Sequence, residues 1–142
     1  MSLENETVVD KAGLIPEVQK LLALKARYCS STCLDRGDKF EVIHHFQLED
    51  SVEFTKHIRI SIDKEDTLPS ISSIYLAAVL CENEMQDHFS IKLSGLALDF
   101  KKRFLRAKES PEYQLIKQKK EQDKGNPRPP SPLSGEVEEA SP

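Results

Sequence analysis

At 142 residues the chain has room for one compact domain with a real but modest core. It is 38% hydrophobic and 31% charged, and its formal charge of −4 argues against a general nucleic-acid binder, which carries a basic face. The polar, acidic start (Ser2, Glu4, Asn5, Glu6) does not read as a signal peptide, and no apolar run approaches the roughly 18–20 residues that span a bilayer. The expectation is a cytoplasmic chain whose membrane contact comes through a partner.

In chain order, Leu14 to Ala26 sets Leu14, Val18, Leu21, Leu22 and Lys25 at helical spacing, with Pro16 in the first turn, where its missing N–H costs nothing. Arg27 to Leu34 alternates as a strand, and Asp35-Arg36-Gly37-Asp38 is a turn in which Gly37 can take positive φ. Lys39 to Leu48 places Phe40, Val42, His44, Phe46 and Leu48 on one face. Glu53 to Ile62 repeats the pattern with Phe54, Ile58, Ile60 and Ile62, and the polar link 49–52 reads as a hairpin. These strands form an antiparallel meander with one buried face, covered by the two helices that flank it in sequence. The predicted fold is α+β: an antiparallel three- to four-stranded sheet under two helices, ferredoxin-like or split sandwich, over residues 1–107.

The second helix follows the Pro69-Ser70 turn and ends in closely spaced acids, Glu82, Glu84 and Asp87. Beyond Ile91 the pattern weakens into an extended segment. Lys101, Lys102, Arg103, Arg106 and Lys108 form a basic run anchored by Phe100, Phe104 and Leu105. Ser110-Pro111-Glu112 reads as a helix start, and a polar extension over 108–124 is helical only marginally. Residues 125–142, rich in Pro, Ser and Glu, are expected to be disordered.

Three cysteines without a CxxC suit a reducing compartment. On a regular strand Cys29 and Cys33 share a face about 13 Å apart, too far for a disulfide or a common metal. Cys81 falls on the apolar face of the second helix with Ile74, Ala77, Ala78 and Met85, and all three thiols read as buried and structural. His44 and His45 point to opposite faces, and His57 approaches His45 only if the strand register allows. Two histidines lacking a third ligand make a poor zinc site. Asp87-His88-x-Ser90 has no special geometry for a triad, and no GxSxG or glycine-rich phosphate loop occurs. Catalytic, cofactor-binding and metal residues are therefore expected to be none. Glu82 and Glu84 lie about 200° apart on a helix and face different ways, whereas Glu84 and Asp87 share a face with Leu80 one turn earlier. Such a surface, an apolar anchor rimmed by carboxylates, suits Arg or Lys from a neighbour; a solvated face with no partner is the alternative.

The order of parts resembles the 30 kDa subunit family of respiratory complex I and of membrane-bound energy-converting [NiFe] hydrogenases of the Ech or formate hydrogenlyase type. Pro69, Ser70, Ile71, Ser72, Ile74, Tyr75, Ala77, Ala78, Glu82, Glu84, Asp87, Phe89 and Ile91 match its motif, and Phe40–Phe46 resembles the strand before it. The resemblance runs from Lys11 to Leu105. Leu76 stands where Pro is usual, Leu80 for Trp, Asn83 for Arg and Ser90 for Gly, and the His-Pro that usually follows is absent from Gly95–Lys101.

The resemblance implies a non-catalytic hydrophilic subunit of a membrane-bound hydrogenase complex, peripheral on the inner face of the cell membrane. It would pack against a [NiFe]-type large subunit and a small iron–sulfur subunit, with the membrane arm reached indirectly and no nucleic acid bound. It implies no cofactor in this chain, the nickel–iron centre and iron–sulfur clusters belonging to partners. Tyr75, Glu82, Glu84, Asp87, Phe89, Phe100, Phe104 and Arg106 are the expected interface residues. The same subunit of an NADH:quinone or F420-type oxidoreductase is the alternative, and a stand-alone thiol or metal protein a further one.

Overall fold

The computed structural model describes residues 4–48, 55–112, 117–118, 120–122 and 124. Its elements are β1 (Glu6–Val9), α1 (Leu14–Ala23), β2 (Arg27–Asp35), β3 (Lys39–Gln47), β4 (Thr55–Asp63), β5 (Thr67–Pro69), α2 (Ala78–Phe89) and β6 (Lys92–Ser94). The main sheet runs in the order β1-β4-β3-β2, and β5 and β6 form a separate parallel pair. On its inner face Tyr28, Phe40, Val42, His44, Phe46, Ile58, Ile60 and Ile62 are buried. Leu14, Val18 and Leu21 of α1 and Ala78 and Met85 of α2 join the same core, so both helices cover one face, as the alternation requires.

The sheet is mixed rather than wholly antiparallel. β1 lies parallel to β4, with Glu6 opposite His57 and Val9 opposite Ile60. A strand of four residues is too short to show a period, and it forms because β4 offers an open edge.

Helix α1 stops at Ala23, three residues before the spacing suggests. Lys25 turns left-handed (φ 55°), its N–H reaches Leu22 O, and the Ala26 N–H reaches Leu21 O. This 6→1 and 5→2 pair is a Schellman ending, with lysine where glycine is usual. Helix α2 also starts later than expected. Residues 72–74 and 76–77 are turns, with the Ile74 and Tyr75 N–H groups both on Ile71 O.

The strand pairing corrects the cysteines. Tyr28 pairs with Phe46 and Ser30 with His45, leaving Cys29 as an extra residue in a β-bulge. The alternation then shifts, so Cys29 is exposed whereas Cys33 turns inward against the core. They do not share a face, and Cys29 is not a core residue.

No strand or helix occurs between Gly95 and Glu112, in keeping with an extended segment. Residues 110–112 are not helical; residues 117–118, 120–122 and 124 are, and Lys117 bonds Asp35 at 3.1 Å. The hairpin link, Phe54 and the 125–142 tail lie outside the described residues.

Candidate functional site on the second helix

Seven of the twelve residues of α2 are buried, and four of those, Glu82, Asn83, Gln86 and Asp87, are polar. Their spacing of one, four and five places them along one stripe, so they project together from one side. A buried polar group is tolerable only when it is bonded. Here each is bonded to chain that has no regular structure of its own.

Glu82 is fully buried and faces the turn before the helix. Its carboxylate accepts the Ile71 N–H at 2.8 Å and the Ser70 hydroxyl at 2.5 Å. Ser70 Oγ lies 2.6 Å from Ser72 Oγ, which accepts the Ala97 N–H at 2.9 Å. Burial pushes the Glu82 carboxyl above its ordinary range, and the Ser70, Ile71 and Ser72 donors oppose that shift.

Asn83 faces the other flank. Its amide donates to Leu98 O at 2.8 Å and accepts the Phe100 N–H at 2.9 Å, while Gln86 donates to Asp99 at 3.1 Å. Asp87 accepts the N–H groups of Phe104 (3.3 Å) and Leu105, and Arg106 donates to Asp87 O at 3.2 Å and Ser110 O at 3.1 Å. The helix thus staples both flanking segments to the core.

This placement corrects the geometry expected for the acids. Asp87 and Glu84 do not form one carboxylate rim, because Asp87 is buried and its oxygens serve the backbone of the same chain. Glu82 likewise turns inward. Glu84 alone of the three is exposed, on an edge it shares with Leu80 and His88, whose Nε2 stands 3.7 Å from the Glu84 carboxylate. Tyr75 packs against Tyr28 and Phe46 and donates to Ala26 O at 2.7 Å, and Phe89 meets Phe40 edge-on. These two aromatics fill their own domain. Phe100 and Phe104 pair at 5.0 Å on the outer segment, with Phe100 exposed and Phe104 half-buried.

Leu76, Leu80, Leu98 and Leu105 are each more than half exposed. Leu98 and Phe100 are both tied to Asn83, so their segment is held against α2. Held this way, the segment keeps Leu98 and Phe100 turned to solvent. Sequence reasoning passed over Asn83 and Gln86 as binding residues; the signal was their spacing with Glu82 and Asp87, which makes one polar stripe too continuous for a solvent-facing edge.

The remaining candidates separate. Cys33 and Cys81 line one small cleft with Glu84 and His88, and burial raises the Cys33 thiol to about 12. Among the described residues no group of three His, Cys, Asp or Glu side chains stands close enough to hold a metal. His44 is buried, with Ser31 Oγ at 2.6 Å from Nδ1 and Tyr28 OH 2.6 Å beyond, while Nε2 finds no partner among the described residues. His45 and His57 do meet on the opposite face of the sheet. No described helix is long and apolar enough to cross a membrane.

Comparison with known proteins agrees with this architecture. The chain is 39% identical over 62 residues to the C-type subunit of an NADH-quinone oxidoreductase from Jannaschia sp. (strain CCS1), covering 44% of this chain and 30% of that protein. It therefore spans about a third of that relative's length. Two solved structures share the fold. The trypsin-resistant fragment (1-134) of Nqo5 superposes with a TM-score of 0.58 at 20% identity, over 67% of this chain and 83% of the fragment. A chain of an archaeal respiratory membrane complex, the membrane-bound sulfane sulfur reductase, gives 0.56 at 16% identity, over 93% and 84%. The pattern of one family matches residues 7–122, from β1 through the stapled segment, and the chain belongs to that family, the 30 kDa subunit of respiratory-chain NADH dehydrogenase.

Proposed function

We infer that this chain is a non-catalytic subunit of a membrane-bound, complex I-like oxidoreductase, and that its partner is the [NiFe]-type large subunit of an energy-converting hydrogenase. The observation that carries the reading is the exposure of four large apolar side chains, Leu76, Leu80, Leu98 and Phe100, the last two on a segment that Asn83 of α2 holds by its backbone. Fixed apolar area of this kind suits a stable protein interface better than solvent. Glu84 offers the carboxylate for a basic partner residue, and Lys101, Lys102 and Arg103 offer charge of the other sign. The role is structural: bracing the electron-transferring subunits, whose nickel–iron centre and iron–sulfur clusters sit in other chains. The absence of the His-Pro and the substitutions at Leu76 and Leu80 favour the hydrogenase partner over a complex I partner.

The alternative, the equivalent subunit of an NADH:quinone oxidoreductase, is favoured by the name of the Jannaschia relative. Purifying the native membrane complex through a tag on this chain decides between them. Copurification of a large subunit with nickel-binding cysteine pairs supports the hydrogenase. A nickel-free large subunit with quinone reductase activity supports the alternative, and a chain that elutes alone rejects both.

A further inference from the structure

The open face of the sheet carries a pair of imidazoles that the docking role leaves unused. His45 and His57 are direct cross-strand partners on β3 and β4. The His57 N–H is given to Asn5 O on the β1 side, so toward β3 the two histidines form a non-hydrogen-bonded pair, the kind whose side chains stand closest. Their Nδ1 atoms are 2.7 Å apart with ring centroids at 4.9 Å and planes at 81°. One imidazole nitrogen is therefore donating to the other across a gap that both rings face.

We propose that His45 and His57 form a binding site for a single divalent transition-metal ion of the imidazole-preferring, water-retaining class, Cu2+ or Ni2+, with water completing the coordination. Two nitrogens bound to one ion at about 2.0–2.1 Å stand roughly 2.9–3.4 Å apart for angles between 90° and 110°. The nitrogens part by only a few tenths of an ångström, while each ring turns by roughly 35–45° so that both lone pairs converge on the ion, a movement within the broad χ2 range of histidine. The second shell is already present. Thr32 Oγ1 lies 2.9 Å from His45 Nε2, so a proton on Nε2 can be donated to the threonine while Nδ1 keeps its lone pair for the ion. For His57 the step is a tautomer change: the proton leaves Nδ1 for Nε2, so a neutral pair binds the ion with no net proton release.

The neighbours define what kind of site this is. Glu6, the cross-strand neighbour of His57 on β1, is engaged by the Arg59 guanidinium at 2.7 and 2.9 Å, and Glu41 is engaged by Arg59 and Arg36. No third protein ligand completes the sphere among the described residues, so the ion is exchangeable rather than structural, and affinity follows the order in which Cu2+ and Ni2+ exceed weaker binders. The site lies across the sheet from α2 and needs nothing from the docking surface.

The test uses the full chain with Ni2+ as probe, which avoids the thiol oxidation that Cu2+ brings. Equilibrium dialysis at pH 7.5 is expected to give one Ni2+ per chain in the micromolar range. His45→Gln and His57→Gln should each lose at least tenfold in affinity, Thr32→Val about tenfold through the second shell, and His88→Gln or Cys33→Ser nothing. Because a variant can also misfold, the thermal midpoint is read in parallel: Ni2+ should raise it in the wild-type chain and leave the two histidine variants where they start. Binding that survives both histidine substitutions, or an uptake lost with His88 or Cys33, overturns the proposal, as does a wild-type chain that takes up no stoichiometric ion.

Discussion

Ile71 and Glu82 are eleven residues apart in sequence and are joined by one buried hydrogen bond, from the Ile71 N–H to Glu82 Oε1 at 2.8 Å. The carboxylate that reads as a surface acid from its spacing is the internal support of the turn leading into α2. Removing it leaves that N–H without an acceptor and the Ser70 hydroxyl with only Ser72 Oγ to turn to. Glu82→Ala is expected to cost about 2–4 kcal/mol in urea unfolding, the scale of unsatisfied buried groups plus a small cavity. Glu82→Gln, which keeps one acceptor oxygen, should cost less than half of that. Equal losses for the two variants would show that packing, not acceptance, is what the site supplies.

Asp87 is expected to act locally. Its oxygens hold the N–H groups of Phe104 and Leu105, well outside the core. Asp87→Ala should speed hydrogen exchange at those two amides at least tenfold while the β3 amides keep their protection. Uniformly faster exchange would mean that the staple carries global stability instead.

Stability should depend on acid through His44. Burial pushes its imidazole down to about 3, against about 6.5 in an unfolded chain. Across that window the unfolded chain binds more protons, so stability is full above about 6.5 and falls as the pH drops toward 3, by up to about 1.4 kcal/mol per unit. Glu82 works the other way: its raised carboxyl lets the folded chain bind more protons just above the ordinary carboxylate range, so stability there rises as the pH falls. His44→Leu should flatten the acid limb of urea midpoints measured from pH 4 to 7. An unchanged slope would assign acid sensitivity to other groups.

Ser90 ends α2 in the left-handed region (φ 55°), and its Oγ finds no partner among the described residues. A side chain there costs about 1–2 kcal/mol that glycine avoids. Ser90→Gly should therefore stabilise the domain by about 1 kcal/mol, read as a higher denaturant midpoint at constant slope. A lower midpoint would mean that Ser90 makes a compensating contact.

Leu80 is 53% exposed and Glu84 lies on the same edge. Leu80→Arg and Glu84→Lys should change stability by less than about 0.5 kcal/mol yet lower the yield of the assembled complex. Full assembly by both variants would move the interface off this edge.

Much of the fold was legible because its strands are long enough to repeat. β3 and β4 alternate over nine residues each, which set the face, and the His45–His57 contact follows from their register. What could not be read depends on single residues acting out of pattern. β1 has four residues and takes its place from the edge of β4. Lys25 closes α1 from a conformation no spacing reveals. The acids of α2 misled because a carboxylate bonded to backbone N–H groups has the same one-letter code as one in water; only the unstructured segments around it, brought close by the fold, decide which it is.

The extra residue at Cys29 has a chemical consequence as well as a geometric one. By rotating one thiol outward and leaving the other against the core, with its proton held to about pH 12, the bulge makes two identical side chains four positions apart unequal as nucleophiles. An alkylating probe at neutral pH should find Cys29 and spare Cys33. That gives the edge strand β2 one exposed thiol, near its start, from which distances to a partner can be measured.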